Sequence, residues 1–107
     1  MQKCLKQALY LLLVLPAIGC GSMEQSICDK RVTCEGGNDK DRRACVDRYV
    51  GQAQVAAAYG CSDAWSKWLS CLDTSGVCSN AKITSSCDAQ SQAATACMDA
   101  AASPNFR

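Results

Sequence analysis

Apolar positions fall into four stretches along the chain, and their patterns differ. Residues 8–18 are apolar without interruption, with Lys3 and Lys6 before them and Gly19, Cys20, Gly21 and Ser22 after them. As a helix that run spans roughly 16 Å, about half of a bilayer core. A cationic start, a short apolar run and small residues behind it form the pattern of a cleaved export signal, not of a membrane-spanning anchor. Further on, the apolar residues recur at helical spacing. In residues 41–59, Cys45, Val46, Tyr49, Val50, Ala53, Ala56 and Ala57 keep that spacing, predicting a helix between Gly36-Gly37-Asn38-Asp39 and Gly60. In residues 62–73, Trp65, Trp68, Leu69 and Leu72 continue a stripe begun by Cys61, and Thr74-Ser75-Gly76 ends it. A third helix starts near Ser85, where Ser85-x-x-Asp88 has the form of a capping box. It runs through Ala93, Ala94, Cys97, Met98 and Ala101 to Ser103-Pro104. Strand signals are confined to Val32-Thr33 and Lys82-Ile83-Thr84, both short and polar-flanked. The expected fold is all-α, a small disulfide-stapled bundle of about three helices with a cleaved N-terminal signal helix.

Composition sharpens this picture. The chain has 107 residues and ten cysteines, a richness that reads as a disulfide scaffold in an oxidising compartment. There is no histidine, so no Ser/His/Asp or Cys/His nucleophile pair and no imidazole metal ligand can be assembled. Eleven basic residues against ten acidic ones leave no basic field for nucleic acid. Loss of Lys3 and Lys6 with the signal takes the basic count to nine, for a mature net charge of −1. Most charges of both signs lie in the first half of the mature chain. Interspersed in this way they read as a solvated helical face. The spacings Cys-x2–4-Cys of zinc sites and Cys-x-x-Cys of redox sites do not occur; the nearest is Cys28-x5-Cys34. Glu35, Asn38, Asp39 and Asp41 are clustered, but not in the order of a twelve-residue calcium loop, and helix capping by Asp39 or Asp41 is the preferred reading. Asp63 and Asp73 flank the tryptophans without a mate that would make a glycosidase-like carboxyl pair. The chain therefore reads as non-enzymatic, with no catalytic residue, metal or cofactor implied.

The cysteines are regularly placed. Cys45, Cys71 and Cys97 are 26 residues apart, as are Cys61 and Cys87, and Cys34 precedes Cys61 by 27. Cys45-Val46-Asp47, Cys71-Leu72-Asp73 and Cys97-Met98-Asp99 share a Cys–apolar–Asp form. The expectation is three copies of one supersecondary unit, the last truncated.

Ala17-Ile18-Gly19-Cys20 resembles the lipobox of bacterial lipoproteins, although Ala17 stands where that family usually has Leu or Val. The resemblance implies that Cys20 becomes the mature N-terminus and carries several acyl chains, enough for stable anchoring. Cysteine parity agrees. Removing residues 1–19 takes Cys4 away and leaves nine; lipidating Cys20 leaves eight that can all pair. Gly21 follows, rather than the Asp that retains enterobacterial lipoproteins in the inner membrane, so the implied destination is the outer membrane. Ala17-x-Gly19 equally suits an ordinary signal peptidase cutting the same bond, which would release a secreted protein with an unmodified Cys20.

Cys61-x9-Cys71 and Cys87-x9-Cys97 are similar to the twin Cys-x9-Cys hairpins of coiled-coil-helix–coiled-coil-helix proteins. Ten residues of helix make about 2.8 turns and about 15 Å, which sets two thiols near the two ends of each helix. Antiparallel pairing of two such helices implies the bridges Cys61–Cys97 and Cys71–Cys87. Three arrangements then remain for Cys28, Cys34, Cys45 and Cys78. The whole pattern resembles small cysteine-rich lipoproteins of environmental bacteria such as myxobacteria, a resemblance that carries no activity with it. The resulting organisation is a signal over residues 1–19, a lipidated N-terminus and polar tether over residues 20–27, and a disulfide-rich helical domain over residues 28–107. The expected role is that of a membrane-tethered binding, accessory or structural envelope protein, the alternative being a freely secreted effector or inhibitor. Trp65 and Trp68 are its only tryptophans and form the candidate face for a protein partner.

Overall fold

The computed structural model describes residues 22–106; the signal run, Cys4 and Cys20 lie outside the described residues. Within them the chain is helical apart from one short hairpin. Ser22 caps the first helix, α1 (Met23–Glu35), its hydroxyl accepting from the Gln25 amide at 3.2 Å. Gly36 ends it in the left-handed region at φ 75°. The second helix, α2 (Asp39–Ala58), starts with a reciprocal capping box. Asn38 Oδ1 accepts from the amides of Lys40 and Asp41 at 2.9 and 3.2 Å, and Asp41 Oδ2 accepts from the Asn38 amide at 2.9 Å. The acidic cluster around Asn38 is thus a helix start. Its side-chain cap is Asn38, with Asp41 returning the bond. Gly60, at φ 71°, closes α2: its amide donates to Ala57 O and that of Cys61 to Ala56 O. These are the two bonds of a Schellman motif, which needs a residue at positive φ.

The remaining elements are α3 (Ser62–Ser75), β1 (Val77–Ser79), β2 (Lys82–Thr84) and α4 (Asp88–Ala101). Cys61 and Cys87 occupy the N-cap positions of α3 and α4 with nearly the same backbone, φ −108° and −105°, and neither gives a side-chain cap. The Ser85-x-x-Asp88 box is therefore not formed. Cys87 takes its place because its sulfur is held in a bridge to the preceding helix. The two strands pair antiparallel with Cys78 opposite Ile83. Asn80 and Ala81 between them, at φ 51° and 57°, form the two-residue mirror-image turn that matches strand twist.

Four disulfides join these pieces: Cys28–Cys45, Cys34–Cys78, Cys61–Cys97 and Cys71–Cys87. The last two clamp α3 against α4 at both ends, with Cα separations of 6.0 and 5.8 Å. They are the pairs that the twin Cys-x9-Cys resemblance implies. Cys28–Cys45 clamps α1 to α2, and Cys34–Cys78 ties the end of α1 to the hairpin. The 26-residue period thus has a structural counterpart in α3 and α4, where each cysteine N-cap is followed ten residues later by the second cysteine. It does not extend to the N-terminal copy. Cys34 lies inside α1, and Cys45 belongs to a helix capped by Asn38.

Helix α1 adds a fourth member to the expected bundle. Met23 to Ile27 belong to it, so most of the stretch read as a polar tether is part of the domain. Ile27 is buried and Met23 packs against the same cluster. The core sits where α1, α2 and α3 meet: Ile27, Ala56, Cys61, Trp65 and Leu69, flanked by half-buried Tyr49, Leu72 and Met98. Val50 and Val55, both large apolar residues, are instead 40% and 50% exposed, because α2 has neighbours on one narrow stripe only. At the far end Asp73 joins α3 to α1. It accepts from Ser26 Oγ at 2.6 Å and pairs with Lys30 at 3.4 Å, and Lys30 Nζ also donates to the Asp73 carbonyl. A cation at the C-terminus of α3 also meets the negative end of its dipole.

Three of the disulfides contain a buried cysteine, Cys28, Cys61 or Cys87. In the fourth, Cys34 is half-buried and Cys78 is exposed. Exchange with an external thiolate requires access to sulfur, so mild dithiol treatment followed by alkylation is expected to label Cys34 and Cys78 first. Peptide mapping that finds Cys61 or Cys87 labelled earlier would contradict this.

Candidate functional site

The residues able to carry function gather around α3. Trp65 and Trp68 are three positions apart and so share one side of the helix. Their rings meet edge to face, 4.8 Å between centroids at 73°. Tyr49 of α2 packs on Trp68 at 6.2 Å. Trp65 is 6% exposed and its indole Nε1–H, itself buried, has no acceptor. Trp68 remains half-buried, with an accessible part. The two indoles expected to form one partner face therefore divide their roles: Trp65 is largely core and Trp68 is its lid.

Trp68 separates two depressions. On one side, a groove of about 310 Å³ runs between α2 and α4 with the tryptophans as its floor. Val55 and Gln52 form its α2 wall, and Ala94, Thr95 and Met98 with Ser91 its α4 wall. Not one of these residues is charged. On the other side lies a wider cleft of about 550 Å³ between α1 and α2, bearing Arg31, Glu35, Asp41 and Arg48. Arg31 pairs with Glu35 one turn on at 3.2 Å, and Asp41 serves the α2 cap, so much of that polarity is used locally.

The other residues singled out from the sequence lie elsewhere. Asp73 is committed to Ser26 and Lys30, and Asp63 stands exposed in the first turn of α3. Cys20 falls outside the described residues. All eight described cysteines are in disulfides, so none of them offers a thiolate as nucleophile or ligand. Among the described residues no group of three or more His, Cys, Asp or Glu is placed to hold a metal, and no helix is long and apolar enough to cross a membrane.

The groove walls escaped the sequence reading. Val55 and Thr95 lie on helix faces that pattern alone assigns to core or solvent. The available signal was negative: a run of uncharged positions in α4 from Ala89 to Met98, which an ordinary exposed helix would break with charges. No protein-family model, no curated protein and no solved structure matches this chain.

Proposed function

We propose that this is a lipid-anchored envelope protein, exported by its N-terminal signal, held at the outer membrane through acylated Cys20 and acting there by binding rather than catalysis. One observation carries the reading. The eight cysteines of the described domain pair entirely among themselves, so none remains to bridge Cys20, which ends the lipobox-like Ala17-Ile18-Gly19-Cys20. The start of α1 at Met23 leaves only Gly21 and Ser22 as a leash, which would keep the domain close to the bilayer surface. A non-catalytic role is supported by the missing histidine and by the commitment of the domain's thiols. Its place among small cysteine-rich bacterial lipoproteins is part of the same proposal.

Growth with an alkyne-tagged palmitate, followed by fractionation, tests the anchor. The mature protein is expected to take up the tag and enter the detergent phase, while Cys20→Ala loses the tag altogether. An untagged, freely secreted wild-type protein would overturn the reading and favour cleavage by the ordinary signal peptidase.

A further inference from the structure

The uncharged groove has the attributes of a small-molecule site. Its volume of about 310 Å³ is at the lower end of the range for ligand pockets, roughly 300–1,000 Å³. A bicyclic molecule is of a size to occupy it. A fifth of the chain is charged, yet none of the residues lining this groove is, whereas Arg31, Glu35, Asp41 and Arg48 line the cleft on the other side of Trp68. An ionic ligand would lose its hydration in the groove and find no counter-charge. The Trp65 Nε1–H supplies the second requirement. It is buried without an acceptor, a state that native proteins rarely leave uncompensated, and Trp65 is among the residues that line the groove. Met98, whose flexible thioether readily repacks, lies beside it in the α4 wall.

We infer that the groove between α2 and α4 binds a small, uncharged, apolar molecule bearing one hydrogen-bond acceptor, which Trp65 Nε1–H engages as the groove side chains adjust. Aromatic ketones, lactones and neutral amides have this chemistry. The inference gives the proposed binding role a ligand class and rests on that reading. It concerns the domain alone, however, so its failure would leave the Cys20 anchor untouched, and loss of the anchor would leave the groove.

The two indole N–H resonances of the mature, oxidised protein are direct reporters, since Trp65 and Trp68 are the only tryptophans. Three probes of similar shape separate the requirements: 2-acetylnaphthalene, 2-ethylnaphthalene without the acceptor, and anionic 2-naphthoate. The ketone is expected to shift the Trp65 indole signal saturably and to bind about tenfold tighter than the hydrocarbon, the factor that one net hydrogen bond provides. Naphthoate should be weaker than both. Trp65→Phe should erase the advantage of the ketone over the hydrocarbon. Thr95→Phe, placed at an exposed position of the wall and outside the core, should block all three probes while leaving the helical spectrum intact. The inference is overturned by the absence of saturable shifts, by equal affinities for the three probes, or by preference for the anion. Indole shifts that depend on protein concentration alone would also overturn it, because a second copy would then fill the groove.

Discussion

Full reduction is expected to abolish the helical circular-dichroism signal and the cooperative melt together. The reason lies in how little the domain buries. Its fully buried residues are few, and three of them, Cys28, Cys61 and Cys87, are themselves disulfide partners. A disulfide closing about 15 residues contributes roughly 3 kcal/mol, more for longer loops. The four here span 16, 17, 36 and 44 residues. The loops overlap, so the contributions do not simply add. Even two of them are comparable with the whole stability of a small domain, about 5–15 kcal/mol. Helix α1 depends on the bridges most directly: two disulfides, the Asp73 contacts and the Asp29–Arg42 ion pair fasten it, whereas Ile27 and Met23 are its only large side chains in the core cluster. A chain that keeps its helical signal and melting transition in strong reductant would contradict this view of the fold.

Leu69→Ala is expected to be among the most damaging single truncations within the oxidised domain. Leu69 is 1% exposed and is the largest of the fully buried side chains, at the centre of the cluster shared by α1, α2 and α3. The two flanking bridges at Cys61 and Cys71 hold α3 in place and limit collapse around the void. The cost should therefore lie within the 2–5 kcal/mol typical of buried Leu→Ala changes. For a domain of this size that lowers the thermal midpoint by about 10 °C or more. Val55→Ala, at a half-exposed position on α2, is the control and should move the midpoint little. Equal shifts from the two would show that the domain lacks a central apolar core.

The all-α class and the three later helices were legible because they rest on strong local signals. Glycines at 36, 37 and 60 mark boundaries, and α3 shows a clear stripe from Cys61 through Trp65, Trp68, Leu69 and Leu72. The bridges Cys61–Cys97 and Cys71–Cys87 were legible too, since equal ten-residue spacing on adjacent antiparallel helices leaves one symmetric solution. Helix α1 was not. Only Met23, Ile27 and Val32 interrupt its polar surface with large apolar side chains, and its order comes from long-range ties through Cys28, Cys34 and Asp73. The hairpin was half-visible as Lys82-Ile83-Thr84. Its partner strand and the Asn80-Ala81 turn gave weaker cues, because Ala is uncommon at positive φ. Nor could the groove be read from the chain, since it arises where α2 and α4 flank α3 without closing over it.

The proposed protein is a domain closed by its own four disulfides and tethered through Cys20. Intact mass of the mature protein, recorded before and after complete reduction, tests it most directly. The expected result is a polypeptide beginning at Cys20 with the added mass of acyl groups, gaining the mass of eight hydrogens on reduction, two for each of four disulfides. An unacylated chain, a mass gain corresponding to any other number of bridges, or a disulfide-linked dimer through Cys20 would contradict it.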